Sequence, residues 1–208
     1  MDVFERCIKA FGDPRFCSFV NQVGRLVQSL ADCIEALDVG SCYRICLERC
    51  RGEECRDACL GTLKVAAGVA AARRVARRAA AAVALLGVDL VDAVALMFDK
   101  EVKEIEKMDC PEKGDAAQAL AAAAAELYWS LKKAPGLQER AQDALLLMAP
   151  ALAVAHQCVG DEVFEYLDLV KPFVEEEAVR RVVAALEEGI ALIGNVAIKF
   201  KPVKVAER

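Results

Sequence analysis

Cysteine is the residue type in this chain with the widest range of possible chemistry, and half of the ten cysteines lie close together in the sequence. The clustered positions are Cys42, Cys46, Cys50, Cys55 and Cys59. They are separated by three, three, four and three residues, and cysteines four positions apart share one face of a helix. Gly52 lies between the third and fourth cysteine and can end a helix in the left-handed conformation. The pattern therefore predicts a Cys-rich hairpin of two antiparallel helices.

Disulfide bonds are the first interpretation of this hairpin. The facing pairs are Cys46 with Cys59 and Cys50 with Cys55, while Cys33 and Cys42 flank a predicted turn at 39–41. Each bridge would contribute about 2–4 kcal/mol to stability. We expect these six cysteines to form disulfides, but ten cysteines allow hundreds of connectivities, so the pairing stays open.

Metal binding and redox exchange are the alternative interpretations. Four thiolates from the 42–59 hairpin would suit zinc or an iron–sulfur cluster, and one buried pair would suit thiol–disulfide exchange. Zinc and cluster motifs more often use two-residue spacings, and the chain has no CxxC motif. We therefore expect no metal and no cofactor, with a thiolate zinc, iron–sulfur or redox protein as the alternative.

Residues Cys46–Cys59 locally resemble the twin CX3C hairpin of the small mitochondrial intermembrane-space chaperones. The two motifs of that family are separated by a much longer loop, and its chains are far shorter than these 208 residues. No function is carried over from this resemblance.

Four arginines form the second group of residues with a clear chemical use. Arg73, Arg74, Arg77 and Arg78 occur as ARRVARR within a run, 65–88, that holds no other charge. On a helix they form two i,i+4 pairs on one face, so an acidic neighbour such as the 175–177 glutamates, or solvation, must offset their repulsion. Guanidinium groups also suit phosphate geometry, so we predict that these four residues bind nucleic-acid phosphates, with an anionic lipid surface as the remaining alternative. No aromatic residues are interleaved with them to stack on bases.

Catalytic residue types are scarce. The chain has 38 Ala but only four Ser, one Thr, two Asn and one His. A Gly-rich phosphate loop, a GxSxG motif and a Glu-x-x-His motif are missing. His156 lies in an apolar stretch and is typical of a core or boundary position. We expect no catalytic residues and no small-molecule substrate, hence not an enzyme.

The sequence predicts an all-α fold, a bundle of roughly eight to nine helices. Strong helix formers dominate, and Gly and Pro divide the chain into segments. The predicted helices are 2–11, 14–38, 41–50, 53–86, 88–109, 115–133, 137–158, 161–170 and 173–193. We expect a Cys-rich region over 1–63, an Ala-rich bundle over 64–194 that is continuous with it, and an extended basic tail over 195–208.

The tail alternates apolar and basic residues with a period of two. Ile198 and Phe200 alternate with Lys199 and Lys201, which is typical of a short strand. A lone strand in a helical protein has no sheet to join, so we predict that these four residues contact a partner, such as the same tail of another copy.

Composition and charge suggest where the chain operates. Its first eleven residues include two acids and no apolar signal segment, and the most apolar stretch, 79–98, contains Asp89 and Asp92. We therefore expect a cytoplasmic protein, or one within a virus particle, and no membrane. Many intracellular cysteines with few Asn, Gln and Met are typical of a hyperthermophilic archaeon. Residues 40–80 carry nine basic and four acidic side chains within a chain of net charge −5.

Together these features predict a non-enzymatic, disulfide-stabilised structural or assembly protein of a hyperthermophile. It would associate with itself and contact nucleic acid, as in a nucleoprotein or virion.

Overall fold

A computed structural model describes residues 14, 31–33, 42, 44, 45, 48 and 53–205. The chain divides into two compact units, Met1–Ala67 and Gly68–Arg208. The predicted regions over 1–63, 64–194 and 195–208, the first two expected to be continuous, stay a prediction, and residues 195–205 lie in the second of the two units.

The described residues are mostly helical, which confirms the predicted fold class at that level. The α-helices are α1 (Glu53–Leu86), α2 (Leu90–Glu106), α3 (Glu112–Lys133), α4 (Ala141–Leu145), α5 (Met148–Val159), α6 (Glu165–Val170) and α7 (Glu176–Glu188). Single 3-10 turns cover Gln138–Arg140, Gly160–Phe164 and Lys171–Phe173. The predicted helices over 2–11, 14–38 and 41–50 lie wholly or largely outside the described residues. The predicted number of helices is therefore not matched.

The predicted helix over 137–158 contains Pro150, which is expected to kink it or end it early, and the helix is interrupted between α4 and α5. Pro150 lies in the first turn of α5 and has no N–H to donate to the carbonyl of Leu146. The N–H of Ala149 donates to that carbonyl instead, at 3.1 Å. A proline is tolerated in the first turn of a helix, so the chain breaks upstream of it and restarts there.

The Ala-rich helix α3 packs at the centre of the second unit, against α2, α4 and α5. Its small side chains allow close approach. A Cβ on Gly68 of α1 would lie 2.7 Å from the Cβ of Ala122, closer than two carbons tolerate. Larger side chains fill the rest of the core, and those that are fully buried include Phe98, Leu120, Tyr128, Leu152 and Leu186.

The C-terminal tail forms a β-hairpin within its own fold, which corrects two predictions. Helix α7 ends at Glu188, because Gly189 adopts the left-handed conformation with φ 71°. Strands β1 (Ile190–Ile193) and β2 (Val196–Lys199) then pair antiparallel around a two-residue turn. The predicted helix over 173–193 was too long, and the predicted lone strand has a partner in the preceding residues.

One carboxylate holds the hairpin turn against α2. The backbone N–H and the side-chain Nδ2 of Asn195 each donate to Asp92, at 2.9 Å. These hydrogen bonds favour the ionised carboxyl and lower the pKa of Asp92 below its usual value. A Cβ on Gly194 would collide with the same carboxylate. The turn therefore requires glycine at position 194 for space as well as for its φ of 57°.

Candidate nucleic-acid interface

The four predicted arginines lie on one side of α1. At about 100° per residue they span roughly 140° of the helix circumference, in two columns, Arg73 with Arg77 and Arg74 with Arg78. Arg77 and Arg78 are exposed, and the other two are half-buried. The opposite side of the helix is apolar and buried, with Val75 and Ala79 both at 0 % exposure. We call these four residues the arginine strip.

Helix α2 supplies the acidic neighbour of the strip. The carboxylate of Glu101, only 15 % exposed, forms a close ion pair with Arg78 Nη1 and lies 3.9 Å from Arg74 Nε. Of the suggested partners at 175–177, Glu175 pairs with Lys132 at 2.6 Å and Glu177 with Arg180 at 2.8 Å. That ion pair and a hydrogen bond from Gln142 lower the pKa of Glu175.

The cysteines of the first unit are only partly described. Cys33 and Cys42 are paired at disulfide distance, with their Cα atoms 5.7 Å apart. Cys59 is buried and disulfide-bonded. Cys46, Cys50 and the side chain of Cys55 lie outside the described residues, as does much of the predicted Cys42–Cys59 hairpin.

Sequence reasoning missed a disulfide between Cys110 and Cys158. Their Cα atoms are 5.6 Å apart, and the bond joins the chain before α3 to the last turn of α5. A signal was present, because these are the only two cysteines after residue 59. If all cysteines pair and the clustered ones pair locally, these two are left for each other.

The tail residues predicted to contact a partner occupy different environments. Ile198 is 1 % exposed, and Phe200 packs against the core. The Phe200 backbone N–H donates to Gly189 O at 3.0 Å, which continues the pairing beyond β2. Lys199 and Lys201 are exposed. Of the four residues, the two lysines present their side chains to solvent, while Ile198 is committed to the core.

His156 occupies a boundary position. Its Nε2 lies 3.0 Å from Asp161 Oδ1, and its ring stacks on Phe164 with centroids 5.6 Å apart. Among the described residues, no group of three or more His, Cys, Asp or Glu side chains is arranged to hold a metal ion.

One described stretch, Gln138–Asp168, is long and apolar enough to cross a membrane by length and composition alone. Of its most apolar window, 67 % is buried inside the molecule, as in the core helix of a soluble protein, so this is weak evidence for a span. The stretch over 79–98 that the sequence singled out is instead divided between α1 and α2 by residues 87–89.

Comparisons with protein-family models, with curated proteins and with solved structures find no match to this chain.

Proposed function

We propose that this chain is a non-enzymatic, disulfide-stabilised structural or assembly protein that contacts nucleic-acid phosphates through the arginine strip. The observation that carries the proposal is the placement of four guanidinium groups on one side of α1. That part of the helix contains no acidic residue of its own between 65 and 86. A rigid helix packed on a buried core would present these groups at fixed positions.

The spacing within the strip suits a phosphate backbone. Residues four apart on a helix are separated by about 6 Å along its axis, so each column offers two cationic groups one turn apart. Arginine binds phosphate oxygens through a planar fork of N–H donors. Contacts of this kind position a protein on nucleic acid without reading its bases, so we expect binding that is independent of sequence.

The scaffold would be suited to high temperature, in keeping with a hyperthermophilic source. Disulfide-distance pairs occur in both units, at Cys33–Cys42 and Cys110–Cys158. In the second unit Arg140 lies 3.3 Å from Asp89 and 3.8 Å from Asp143, which also accepts from Arg181 at 3.1 Å. Ion-pair networks of this type stabilise a fold more strongly as the temperature rises.

Intact mass of protein purified without reductant tests the disulfide part of the proposal. Each bridge lowers the mass by about two daltons, and we expect about ten daltons for five bridges. A mass raised by zinc or by an iron–sulfur core would overturn it in favour of the thiolate metal or redox alternative.

Salt dependence of binding tests the phosphate contact. Fluorescence anisotropy with mixed-sequence DNA and RNA is measured at several salt concentrations, for the native chain and for a variant with all four arginines of the strip changed to Gln. Because each neutralised phosphate contributes about 0.9 to the slope of log K against log salt on duplex DNA, the slope should flatten in the variant, by at most about four.

A charge-matched control uses four exposed or half-exposed lysines elsewhere, changed to Gln at positions 100, 103, 107 and 133. It removes the same charge from α2, from Lys107 just after it and from α3, and should leave the slope within about one of the native value. Undetectable binding of the native chain at low salt, or an equal loss in the control, would overturn the proposal.

A further inference from the structure

The connection between α2 and α3, residues 107–111, is exposed along its whole length. Even its methionine, Met108, is 41 % exposed. The backbone hydrogen bonds of the connection are local, since the N–H of Met108 donates to Ile105 O at 3.0 Å and Asp109 O accepts from the N–H of Lys113 at 2.9 Å. Hydrogen bonds to neighbouring residues of this kind do not fasten the connection to another part of the fold.

A disulfide ties this connection to a distant element. Cys110 is exposed and pairs with Cys158, which is half-buried in the last turn of α5, across 48 residues of sequence. Next to the bond, α3 and α5 are already in tight contact, because a Cβ on Gly114 would lie 3.1 Å from the Cβ of Cys158. Both helices also contribute alanines to the core, with 0 % exposure at Ala121 and Ala155. Opening the bond would therefore release the connection without separating the two helices.

The two disulfides with both cysteines described differ in how accessible they are. Cys42 is 0 % exposed and its partner Cys33 is half-buried, whereas Cys110 is exposed and Cys158 half-buried. A thiolate must reach a disulfide sulfur in order to exchange with it, so the rate of reduction depends on access. Exposed disulfides are also more easily reduced than enclosed structural ones. A reductant therefore opens the bond at Cys110 first.

We propose that the Cys110–Cys158 bond is a redox-sensitive switch, which an external dithiol opens while Cys33–Cys42 stays closed, and which releases the α2–α3 connection. One thiolate of the dithiol attacks Cys110 Sγ, the bond to Cys158 breaks, and Cys158 leaves as a thiolate that takes up a proton. The second thiolate of the dithiol then attacks the dithiol sulfur of the mixed disulfide, which frees Cys110. The dithiol ends as a disulfide and the protein as two thiols, so two electrons and two protons have been transferred.

The switch rests on the disulfide part of the proposed function and is independent of the phosphate contact. Inside cells, dithiols keep most thiols reduced, and disulfides that occur there are often transient or redox-sensing. In such a compartment the enclosed Cys33–Cys42 bond would persist, while the exposed bond would open and close with the supply of reductant. The fold thus combines a lasting staple with a reversible one.

Differential labelling tests the order in which the bonds open. Protein purified without reductant is treated with dithiothreitol for increasing times, free thiols are alkylated, and the labelled peptides are quantified by mass spectrometry. We expect Cys110 and Cys158 to become labelled at least about tenfold faster than Cys33 and Cys42. Equal rates, or earlier labelling of Cys33 and Cys42, would overturn the inference.

Limited proteolysis tests whether opening releases the connection. Cys110→Ala with Cys158→Ala mimics the open state, and trypsin should cleave it after Lys107 at least about tenfold faster than the native chain, because cleavage follows the population of the locally opened form. Cys33→Ala with Cys42→Ala is the matched control, which removes the enclosed bond and should leave cleavage after Lys107 at the native rate. An equal acceleration in the control contradicts the inference.

Far-UV circular dichroism distinguishes release of the connection from loss of the fold. A variant without Cys110 and Cys158 that unfolds would overturn the inference, because the bond would then hold the whole unit; a folded variant cleaved at the native rate would overturn it as well. Free thiols at these two positions in protein purified without reductant would count against both the switch and the disulfide scaffold. A bond that forms but opens no sooner than Cys33–Cys42 refutes the switch alone.

Discussion

The arginine strip of α1 and the basic C-terminal tail both combine cationic with apolar residues, but the fold uses them in opposite ways. In the strip two arginines are exposed and two are half-buried, on a helix whose other side is buried. In the tail the apolar side chains of alternate residues enter the core, and the lysines between them are exposed. The comparison teaches that a period of two with basic residues marks a strand that covers its own core, and is weak evidence for a partner.

The strongest test of whether the tail covers the core is a substitution of Ile198. Ile198→Ala deletes a side chain that is 1 % exposed, and we expect it to destabilise the fold by about 2–5 kcal/mol in chemical denaturation. Leu192→Ala, in the same hairpin but 61 % exposed, is the matched control and should change stability by less than about 1 kcal/mol. Equal effects of the two substitutions would mean that the hairpin does not pack as described.

We call the hydrogen bonds that hold the hairpin turn to Asp92 of α2 the clamp, and we expect its loss to have an intermediate effect on stability. Asp92→Asn removes the charge that accepts two hydrogen bonds from Asn195 and should cost about 1 kcal/mol, since the site is close to solvent. The pKa of Asp92 is lowered in the folded state, so its contribution is present above the unfolded pKa of about 4 and is lost as pH falls through the lower folded value.

Denaturation of native and Asp92→Asn protein between pH 7 and pH 2 measures this dependence. The stability difference between them should be constant above about pH 5 and shrink as the native carboxyl becomes protonated. A difference that does not change with pH would show that the charge of Asp92 contributes nothing to the clamp.

The strip itself should contribute little to stability. Changing its four arginines to Gln relieves two like-charge i,i+4 pairs, each worth about 0.5 kcal/mol or less. It also leaves the Glu101 carboxylate, 15 % exposed, without Arg78, which costs about 1–3 kcal/mol. We expect these effects to offset in part, so that the free energy of unfolding changes by less than about 2 kcal/mol. Thermal denaturation at low and high salt is the measurement, and a large loss of stability would mean that the strip is structural.

The sequence correctly predicted the helices whose formation depends mainly on residues close together in the chain. Helix α1 has the predicted bounds, 53–86. Its alanines and arginines are strong helix formers, and no residue between these bounds ends the helix. The hairpin was missed because Ile190 continues the apolar stripe of α7 at i+4 from Leu186. Gly189 ends that helix before the stripe does, and the two residues between the strands form the turn.

Contacts between residues far apart in the sequence were not predicted, for a different reason. Glu101 meets the strip only because α2 folds back along α1 with one particular register, 23 residues after Arg78. The bond between Cys110 and Cys158 likewise spans 48 residues, and the only signal for it in the sequence is that these two cysteines alone follow residue 59. Such contacts are set by how helices pack, so a pattern in one helix identifies the charged face without identifying its neighbour.

The smallest expected effect separates the two basic regions most directly. Lys199→Gln with Lys201→Gln removes two exposed charges from the tail, and surface substitutions of this kind change stability by less than about 0.5 kcal/mol. If nucleic acid binds the arginine strip alone, the slope of log K against log salt should also remain at the native value, because no phosphate contact has been removed. Anisotropy titrations of the two-lysine variant beside the four-arginine variant measure both slopes under the same conditions. A slope that falls by about two in the lysine variant would place the tail in the interface, and Lys199 and Lys201 would then serve the same purpose as the arginines of α1.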